Sequence, residues 1–291
     1  MTTEKIFDEA LKNILSEDEI LKDEPMKHHT TFRVGGPAEY YLRPKKEQVA
    51  EVLRLCLTYQ KEYLIIGNVI EIGKQMDEIT VDGTTIYAQA GAMLSKTAHA
   101  ALEAGLTGME FAAGIPGCVG GAVVMNAGAY GGEMKDILKS VTVLTADGQE
   151  KELTPGELDM SYRHSSITEE HYMVLGVTIA LEAGSQEQIR AKMEELKEKR
   201  VEKQPLEYPS AGSTFKRPEG YFAGKLIMDA GLRGFQVGGA AVSEKHCGFV
   251  INKEKATASD VYRLIQEVQQ EVYRQFGVKL ETEVKMVGDF R

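Results

Sequence analysis

The chain has 291 residues, of which 43% are hydrophobic and 27% charged, a composition typical of a globular protein with two or three lobes. The net charge of -10 argues against a nucleic-acid surface but leaves room for a local basic pocket that binds a phosphorylated ligand. The cysteines, Cys56, Cys118 and Cys247, are far apart and lack CxxC spacing, so we expect no disulfide framework, no metal site and a reducing cytoplasm. We expect no signal peptide, because the N-terminal residues are acidic, and no apolar run approaches the roughly 20 residues of a membrane span.

The first third of the chain predicts alternating helices and strands. Hydrophobic spacing and turn residues indicate, in order, a helix at 4–21, strands at 31–34 and 38–42, a helix at 45–59, short strands at 63–66 and 69–72, strands at 79–82 and 85–89, and a helix at 93–104.

The remainder contains further strands and three more helices. The pattern indicates a hairpin of 140–146 with 150–153, a strand at 173–181, helices at 187–204, 223–230 and 258–276, and a final strand at 279–287. Thr257 is the expected N-cap of the last long helix, and Asp260 suits its positive end.

A glycine-rich stretch at residues 114–132, GIPGCVGGAVVMNAGAYGG, is the densest signal in the sequence. Seven of its nineteen residues are glycine and none is charged. Exposed backbone amides in such a run bind anions, so we expect a phosphate or a diphosphate here. The alternative is a close crossing of two backbones that only glycine permits. The spacing is neither a Rossmann fingerprint nor a Walker A loop.

Three polar segments are candidates for chemistry, each with a simpler alternative. Arg163, in SYRHS, is suited to holding a carboxylate, or it lies in a solvated loop. Ser213 has a hydroxyl among small residues near Lys216, or it serves only as a helix cap. Glu283 lies with Glu281 on one face of the predicted last strand, where it faces either a cleft or solvent.

These segments together resemble the UDP-N-acetylenolpyruvoylglucosamine reductase family. The resemblance is carried, from about residue 25 onward, by the motifs TFRVGGPAEY (31–40), GIPGCVGGAVVMNAGAYG (114–131), SYRHS (161–165), SAGSTFKRP (210–218), AGKLIMDAGLRG (223–234) and LETEV (280–284). The compact C-terminal region resembles the shorter of the two subtypes.

The resemblance implies an α+β fold with a two-lobed FAD-binding domain, similar to that of vanillyl-alcohol oxidase, and a C-terminal α+β substrate-binding domain. The expected boundaries are 1–79 for the N-terminal helix and first lobe, 80–203 for the second lobe, and 204–291 for the substrate-binding domain. The C-terminal strand would return to the active site.

The implied reaction is reduction of UDP-N-acetylglucosamine enolpyruvate to UDP-N-acetylmuramate in bacterial wall synthesis. NADPH would reduce FAD, and the reduced flavin would pass hydride to the enolpyruvyl double bond. Arg163 matches the residue that stabilises the enolate-like intermediate, Ser213 the proton donor, and Glu283 the third catalytic position. We expect a cytoplasmic monomer that binds neither nucleic acid nor membrane.

The resemblance also implies two sets of binding residues. The implied substrate contacts are Tyr162, Arg163, Lys216 and Lys225. The implied FAD contacts are Arg33, Gly67, Asn68, Gly91, Gly114, Ile115, Pro116, Gly117, Gly120, Gly121, Asn126, Ala127 and Gly128.

One departure from the family pattern lies at Asn68, which is followed directly by Val69. The family continues there into a second glycine-rich loop and a run of further residues. Either half of the flavin cradle has been lost, or a loop is missing from this sequence. We expect the second, because a true deletion would remove diphosphate donors while leaving every catalytic residue intact.

Two other functions stay open on the sequence alone. One is an FAD-dependent oxidase of the same superfamily that acts on sugars or alcohols. The other is a non-catalytic protein that binds flavin or a nucleotide sugar, which a real deletion after Asn68 would favour.

Overall fold

A computed structural model describes residues 3–64 and 76–290. The described residues divide into two compact units. The first unit contains the described residues of Met1–Lys22 and Tyr40–Glu198, and the second contains those of Asp23–Glu39 and Lys199–Arg291. The second unit therefore includes a segment that the sequence-based boundaries placed in the first lobe. The three-part division remains a prediction.

The helices of the described chain are α1 (Thr3–Lys12), α2 (Lys46–Thr58), α3 (Leu94–Glu103), α4 (Val119–Val124), α5 (Met134–Ile137), α6 (Gln186–Lys203), α7 (Ala223–Asp229) and α8 (Ala258–Phe276). Its strands are β1 (Ile20–Pro25), β2 (Pro37–Leu42), β3 (Ile79–Asp82), β4 (Thr85–Gln89), β5 (Leu106–Thr107), β6 (Gly128–Ala129), β7 (Gly132–Glu133), β8 (Leu138–Leu144), β9 (Glu150–Leu153), β10 (Met173–Ala180), β11 (Glu182–Ala183), β12 (Gln236–Val237), β13 (Ala240–Val242) and β14 (Val250–Asn252).

The first unit is built on a five-stranded antiparallel sheet with strand order β3-β4-β10-β8-β9. Alternation along β4 buries Ile86 and Ala88 on one face and leaves Tyr87 exposed on the other. The buried face packs against α3 and α4, and this main core includes Leu94, Val119 and many others. The glycine-rich stretch therefore lies on an element that the sheet supports directly.

The second unit is a small α+β layer. Its sheet has strand order β12-β13-β14, and α7 and α8 pack on it. Phe32, from the N-terminal part of the chain, is buried in this core beside Phe215 and Leu226. The carbonyl of Phe32 also accepts a 3.0 Å hydrogen bond from the Asn252 side chain, which fixes residues 23–39 in this unit.

Helix α8 confirms the predicted bounds of 258–276. Thr257 accepts the backbone N–H of Asp260 at 3.1 Å, and the Asp260 carboxylate accepts the N–H of Thr257 at 2.9 Å. Gly277 then ends the helix with φ of 68°.

The predicted helix at 4–21 is wrong beyond Lys12. Glu19 accepts the backbone N–H of Ser16 at 2.9 Å, which starts a separate 3-10 turn and stops the first helix. Ile14 and Leu15 still pack into the cluster around Phe7. Their spacing therefore indicates that they are buried, although they are not part of the helix.

Two predicted strands are also wrong. Residues 31–34 form a turn, because Arg33 has φ of 54° and Thr30 donates its hydroxyl to the carbonyl of Val34 at 2.7 Å. Residues 279–287 contain only an isolated bridge, between Phe215 and Thr282. The predicted strand at 69–72, and half of that at 63–66, lies outside the described residues, and the described residues 63–64 are not in a strand.

Candidate functional site

Some glycines of the 114–132 stretch allow two backbones to pack closely. A Cβ on Gly120 would lie 2.9 Å from Cβ of Ala90, and a Cβ on Gly128 would lie 2.7 Å from the carbonyl oxygen of Gly132. Both distances are too short for a side chain. The alternative reading, a close backbone crossing, is therefore correct for this subset.

Other glycines of the same stretch face open space. Among the described residues beyond the adjacent backbone, no atom lies within 4 Å of a Cβ built on Gly117 or Gly121, and both residues are exposed. Gly117 has φ of 121°, a conformation that side-chain-bearing residues rarely adopt. Gly114 and Pro116 are exposed beside them. This side is a smooth backbone surface that a ligand can approach closely.

The loop after β4 holds the glycine-rich stretch in place. The N–H of Gly120 donates to the carbonyl of Ala90 at 2.8 Å, that of Val119 to Ala92 at 2.9 Å, and that of Leu94 to Gly117 at 3.0 Å. Gly91, within this loop, is buried and its N–H donates to the carbonyl of Met76 at 2.9 Å. Gly91 therefore belongs to the framework of the surface.

Charge is absent from the start of α4 as well. Cys118 is its N-cap residue, and burial raises the pKa of the Cys118 thiol, which keeps it neutral at pH 7. An anionic group approaching the open glycines meets backbone dipoles and no opposing thiolate.

Asn126 is fully buried and uses its side chain within the protein. Its amide nitrogen donates to the Glu133 carboxylate and, at 3.0 Å, to the carbonyl of Ser161. Its amide oxygen accepts the N–H of Lys135 at 2.9 Å. All of its polar atoms thus have protein partners, so the side chain ties the SYRHS segment to the glycine-rich stretch.

Tyr162 and Arg163 form the tip of a tight turn. Ser161 and His164 exchange backbone hydrogen bonds of 3.1 and 3.2 Å, and Arg163 has φ of 55°. The Arg163 guanidinium lies 3.5 Å from the carbonyl of Gly128 and 5.1 Å from the centre of the Tyr162 ring. Ser165 anchors the turn by donating to the carbonyl of Val124 at 2.6 Å. A predicted catalytic residue thus meets the predicted cofactor stretch.

The remaining predicted FAD contacts differ in accessibility. Ile115 and Gly128 are half-buried, and Ala127 is buried with its N–H donating to the carbonyl of Ala122 at 2.7 Å. Arg33 is exposed in the turn of the second unit. Gly67 and Asn68, with the join to Val69, lie outside the described residues.

In the second unit, Ser213 and Glu283 lie on two segments that pair with each other. The N–H of Lys216 donates to the carbonyl of Glu281 at 2.8 Å, and the N–H of Glu283 donates to the carbonyl of Thr214 at 2.9 Å. Ser213 and Glu283 are both half-buried. The backbone of Glu283 therefore pairs with the residue that follows Ser213, although 70 positions separate these two predicted catalytic residues.

The predicted substrate lysines carry ion pairs at the surface. Lys216 Nζ lies 3.3 Å from a carboxylate oxygen of Glu281, and Lys225 Nζ lies 2.8 Å from one of Asp229. Such exposed pairs are weak, worth up to about 1 kcal/mol, so each lysine can exchange its partner for a phosphate or a carboxylate.

Sequence reasoning missed the residues that hold these positions. Thr214 is fully buried beneath Ser213, and its Oγ1 accepts the N–H of Val250 at 2.9 Å. Arg217 lies 4.0 Å from the centre of the Phe222 ring, which is 59% exposed. An exposed aromatic ring close to a cation is visible in KRPEGYF, whereas nothing local distinguishes Thr214 from any other threonine.

Comparison with known proteins decides the family. A family model described as an FAD binding domain matches residues 38–154, and one described as UDP-N-acetylenolpyruvoylglucosamine reductase, C-terminal domain, matches residues 204–287. A UDP-N-acetylenolpyruvoylglucosamine reductase of Agathobacter rectalis is 56% identical over 297 residues, covering 93% of this chain and 95% of the relative. The chain belongs to the UDP-N-acetylenolpyruvoylglucosamine reductase family.

Two further relatives agree with this membership. The reductase of Lachnoclostridium phytofermentans is 51% identical, covering 97% of each chain. The crystal structure of the Thermus caldophilus reductase superposes with a TM-score of 0.76 at 32% identity, covering 91% of this chain and 98% of the other. The predicted α+β class, with an FAD-binding domain and a C-terminal reductase domain, is confirmed, and the protein is an FAD-dependent oxidoreductase.

The described residues fit the cofactor of the family. The open backbone at Gly117 and Gly121 has the space and polarity that a diphosphate needs, and the adjacent residues carry no charge. The stretch of 297 residues aligned with the Agathobacter rectalis reductase is longer than this whole chain, so that relative contains residues with no counterpart here.

The described part of the chain has neither a metal-binding cluster nor a membrane-spanning helix. Within residues 3–64 and 76–290, no group of three or more His, Cys, Asp or Glu side chains is placed to hold a metal ion. Nor does any helix in these ranges have the length and apolar character needed to cross a membrane.

Proposed function

We propose that this protein reduces the enolpyruvyl group of UDP-N-acetylglucosamine enolpyruvate, with NADPH as reductant, to give UDP-N-acetylmuramate for peptidoglycan synthesis. The observation that carries the proposal is the backbone pairing of residues 213–216 with residues 281–283. This pairing runs the segment that carries the Ser213 hydroxyl and Lys216 alongside the segment that carries the Glu283 carboxylate. Such a set suits delivery of one proton to a carbon atom.

FAD, when bound, supplies the redox chemistry by accepting a hydride from NADPH and passing it to the enolpyruvyl double bond. The open backbone at Gly114, Gly117 and Gly121 would hold its diphosphate, because exposed amide N–H groups can approach phosphate oxygens closely, while Pro116, which has no N–H, would border that surface. The buried residues of the predicted set, among them Gly91, Gly120 and Asn126, would maintain the shape of that surface.

Arg163 would stabilise the substrate carboxylate. When the terminal carbon of the double bond gains the hydride, the electron pair moves toward the carboxylate and creates an enolate. A guanidinium carries a permanent charge and two parallel N–H groups that match a carboxylate. Its effect is greatest as the charge develops, so it lowers the barrier.

Ser213 would supply the proton. Its hydroxyl donates to the carbon next to the carboxylate, the enolate electron pair forms the new C–H bond, and the serine oxygen recovers a proton from solvent. A serine hydroxyl is a weak acid, so its proton must be polarised by neighbours. Lys216 and Glu283 lie on the two paired segments and are the groups available for this task.

Substrate recognition would use the exposed cations and one aromatic ring. Tyr162 is 55% exposed at the tip of the Arg163 turn, where it can contact the sugar nucleotide. Lys216 and Lys225 would exchange their carboxylate partners for acidic groups of the substrate. We further propose that the protein acts as a monomer in the cytoplasm, where its three buried cysteine thiols stay reduced.

The test is Ser213→Ala, with each half-reaction measured separately by stopped-flow absorbance. Reduction of the bound flavin by NADPH should retain its rate, because that step needs no proton from Ser213. Reoxidation by the UDP-sugar should slow by about 10²-fold or more, the range expected for loss of a general acid. Ser210→Ala, in the same segment, is the matched control. Full turnover by Ser213→Ala would refute the proton-donor role.

A further inference from the structure

We propose that Thr214 is a positioning residue that holds Ser213 and Glu283 in register for proton transfer. This inference rests on the proposed function. Thr214 itself is fully buried, so it acts through its neighbours and does not touch the substrate.

Thr214 is bonded to both of the elements that flank it. Its N–H donates to the carbonyl of Gly248 at 2.8 Å, and its carbonyl accepts the N–H of Glu283 at 2.9 Å. Its side-chain Oγ1 accepts the N–H of Val250 at 2.9 Å. One residue therefore joins the Ser213 segment, the Glu283 segment and the start of β14.

The side-chain bond is the part that a substitution can remove selectively. Val250 is 1% exposed, so its N–H has no access to water if the Thr214 hydroxyl is lost. A buried donor without a partner is costly, and the backbone shifts to reduce that cost. The peptide next to Thr214 carries Ser213, so any such shift displaces the Ser213 hydroxyl directly.

The consequence is specific to one half-reaction. Displacement of a reacting group by about 1 Å can slow a step by up to about 10²-fold. Hydride transfer from NADPH does not use the Ser213 proton, so it should be unaffected. Reoxidation by the UDP-sugar uses that proton and should slow.

The experiment compares Thr214→Val, which has the same shape without an acceptor, with Thr214→Ser, which keeps the hydroxyl. We expect Thr214→Val to slow reoxidation by about tenfold at an unchanged rate of flavin reduction, and Thr214→Ser to restore most of the loss. Thr214→Cys, whose thiol is a weak acceptor, should fall between them and serves in place of Thr214→Val if that variant does not fold.

A double-mutant cycle with Ser213→Ala tests whether Thr214 acts through Ser213. With the Ser213 hydroxyl absent, Thr214→Val should slow reoxidation by less than about twofold further. The control is Thr145→Val, which removes a buried hydroxyl that accepts the N–H of Gln149 at 3.0 Å in the β8–β9 turn. This control should slow neither half-reaction.

Three results would overturn the inference. They are equal slowing of both half-reactions by Thr214→Val, the same tenfold effect in the Ser213→Ala background, and no effect at all while Ser213→Ala remains slow. If Ser213→Ala itself reoxidises at the normal rate, the proton-donor assignment fails first and the role of Thr214 fails with it.

Discussion

Arg163 occupies a backbone conformation that few residues other than glycine adopt. Its φ of 55° places it at the tip of a turn, and Asn126 and Ser165 tie that turn to the glycine-rich stretch. The conformation is maintained because the surrounding hydrogen bonds over-determine it. The result is a guanidinium fixed beside the carbonyl of Gly128, next to the surface that suits a cofactor.

Arg163→Lys keeps the positive charge and removes the planar fork of donors. We expect reoxidation of the reduced enzyme by the UDP-sugar to slow by about 10²-fold, the typical effect of losing one transition-state donor group. Flavin reduction by NADPH should change little. Arg190→Lys, on the exposed side of α6, is the control. Unchanged reoxidation in Arg163→Lys would show that the guanidinium does not stabilise the enolate.

The sequence could predict the residue types of the site but only part of its geometry. Resemblance to a family predicts Arg163, Ser213 and Glu283 as catalytic residues, and their roles remain predictions. The contact of Arg163 with the glycine-rich stretch depends on Asn126, whose side chain reaches a residue 35 positions away. The role of Thr214 depends on Val250, 36 positions away. Patterns among neighbouring residues in the sequence do not indicate hydrogen bonds between residues so far apart, so only the fold shows them.

At the scale of elements, the glycines of the glycine-rich stretch have two roles: some allow close backbone packing, and others leave an open surface. Gly120 lets α4 approach Ala90, while Gly121, its neighbour in the chain, borders open space. Glycine density predicted a phosphate site and a backbone crossing as alternatives, and the structure shows that adjacent glycines divide between a tight crossing and an open surface.

A matched pair of alanine substitutions separates the two tasks. Gly120→Ala forces a methyl group against Ala90 and should lower the free energy of unfolding by about 1–3 kcal/mol. Gly121→Ala should leave that free energy unchanged or raise it by up to about 1 kcal/mol, because alanine favours helix. Gly121→Ala should nevertheless weaken FAD binding by about tenfold, since a methyl group keeps phosphate oxygens from the backbone.

Denaturant unfolding of the flavin-free protein and titration with FAD provide the two readouts. Loss of stability in Gly121→Ala would contradict the open space at Gly121, and normal FAD affinity in that variant would contradict the assignment of this surface to the cofactor.

Element prediction succeeded where local chemistry marks both ends. Thr257 and Asp260 predicted the start of α8, residues 258–276 are helical as predicted, and Gly277 ends the helix. The predicted strand at 279–287 lacks such signals. Its alternating apolar residues, Leu280, Val284 and Met286, pack against the core of the second unit without forming a ladder. The alternation of apolar residues there indicates burial on one side. A strand also needs a partner strand, which the alternation does not identify.

At the scale of the whole molecule, the two compact units are not two consecutive stretches of the chain. Residues 23–39 leave the first unit and contribute Phe32 to the core of the second, where Asn252 binds the Phe32 carbonyl. Sequence-based boundaries placed these residues in the first lobe, because nothing near Phe32 indicates a partner 220 positions away. The stability of the second unit therefore depends on contacts from both ends of the chain.

Protonation of His246 links the stability of this unit to pH. Burial lowers the pKa of the His246 imidazole below its ordinary value of 6.5, and its Nδ1 accepts the N–H of Gly248 at 3.1 Å. The unfolded chain then binds more protons than the folded one below pH 6.5. The contribution of neutral His246 to the free energy of unfolding is fully present above pH 6.5. It is lost as pH falls below that value, by at most about 1.4 kcal/mol per pH unit.

Unfolding measured between pH 7.5 and pH 5 provides the check. His246→Asn keeps an acceptor for Gly248 without a titrating ring, so the free energy of unfolding should fall less steeply with acid than in the wild type. His99→Asn, at an exposed histidine of α3, is the control and should leave the wild-type slope in place. An identical slope in His246→Asn would show that this histidine does not contribute.

The proposed function couples NADPH oxidation to reduction of an enolpyruvyl UDP-sugar in one protein. An anaerobic absorbance spectrum of the flavin-loaded protein tests it most directly. NADPH should bleach the flavin bands, and a stoichiometric addition of UDP-N-acetylglucosamine enolpyruvate should restore them and yield UDP-N-acetylmuramate. Bands that stay bleached after the UDP-sugar, and return only with oxygen and hydrogen peroxide formation, would contradict the reductase function and favour an oxidase.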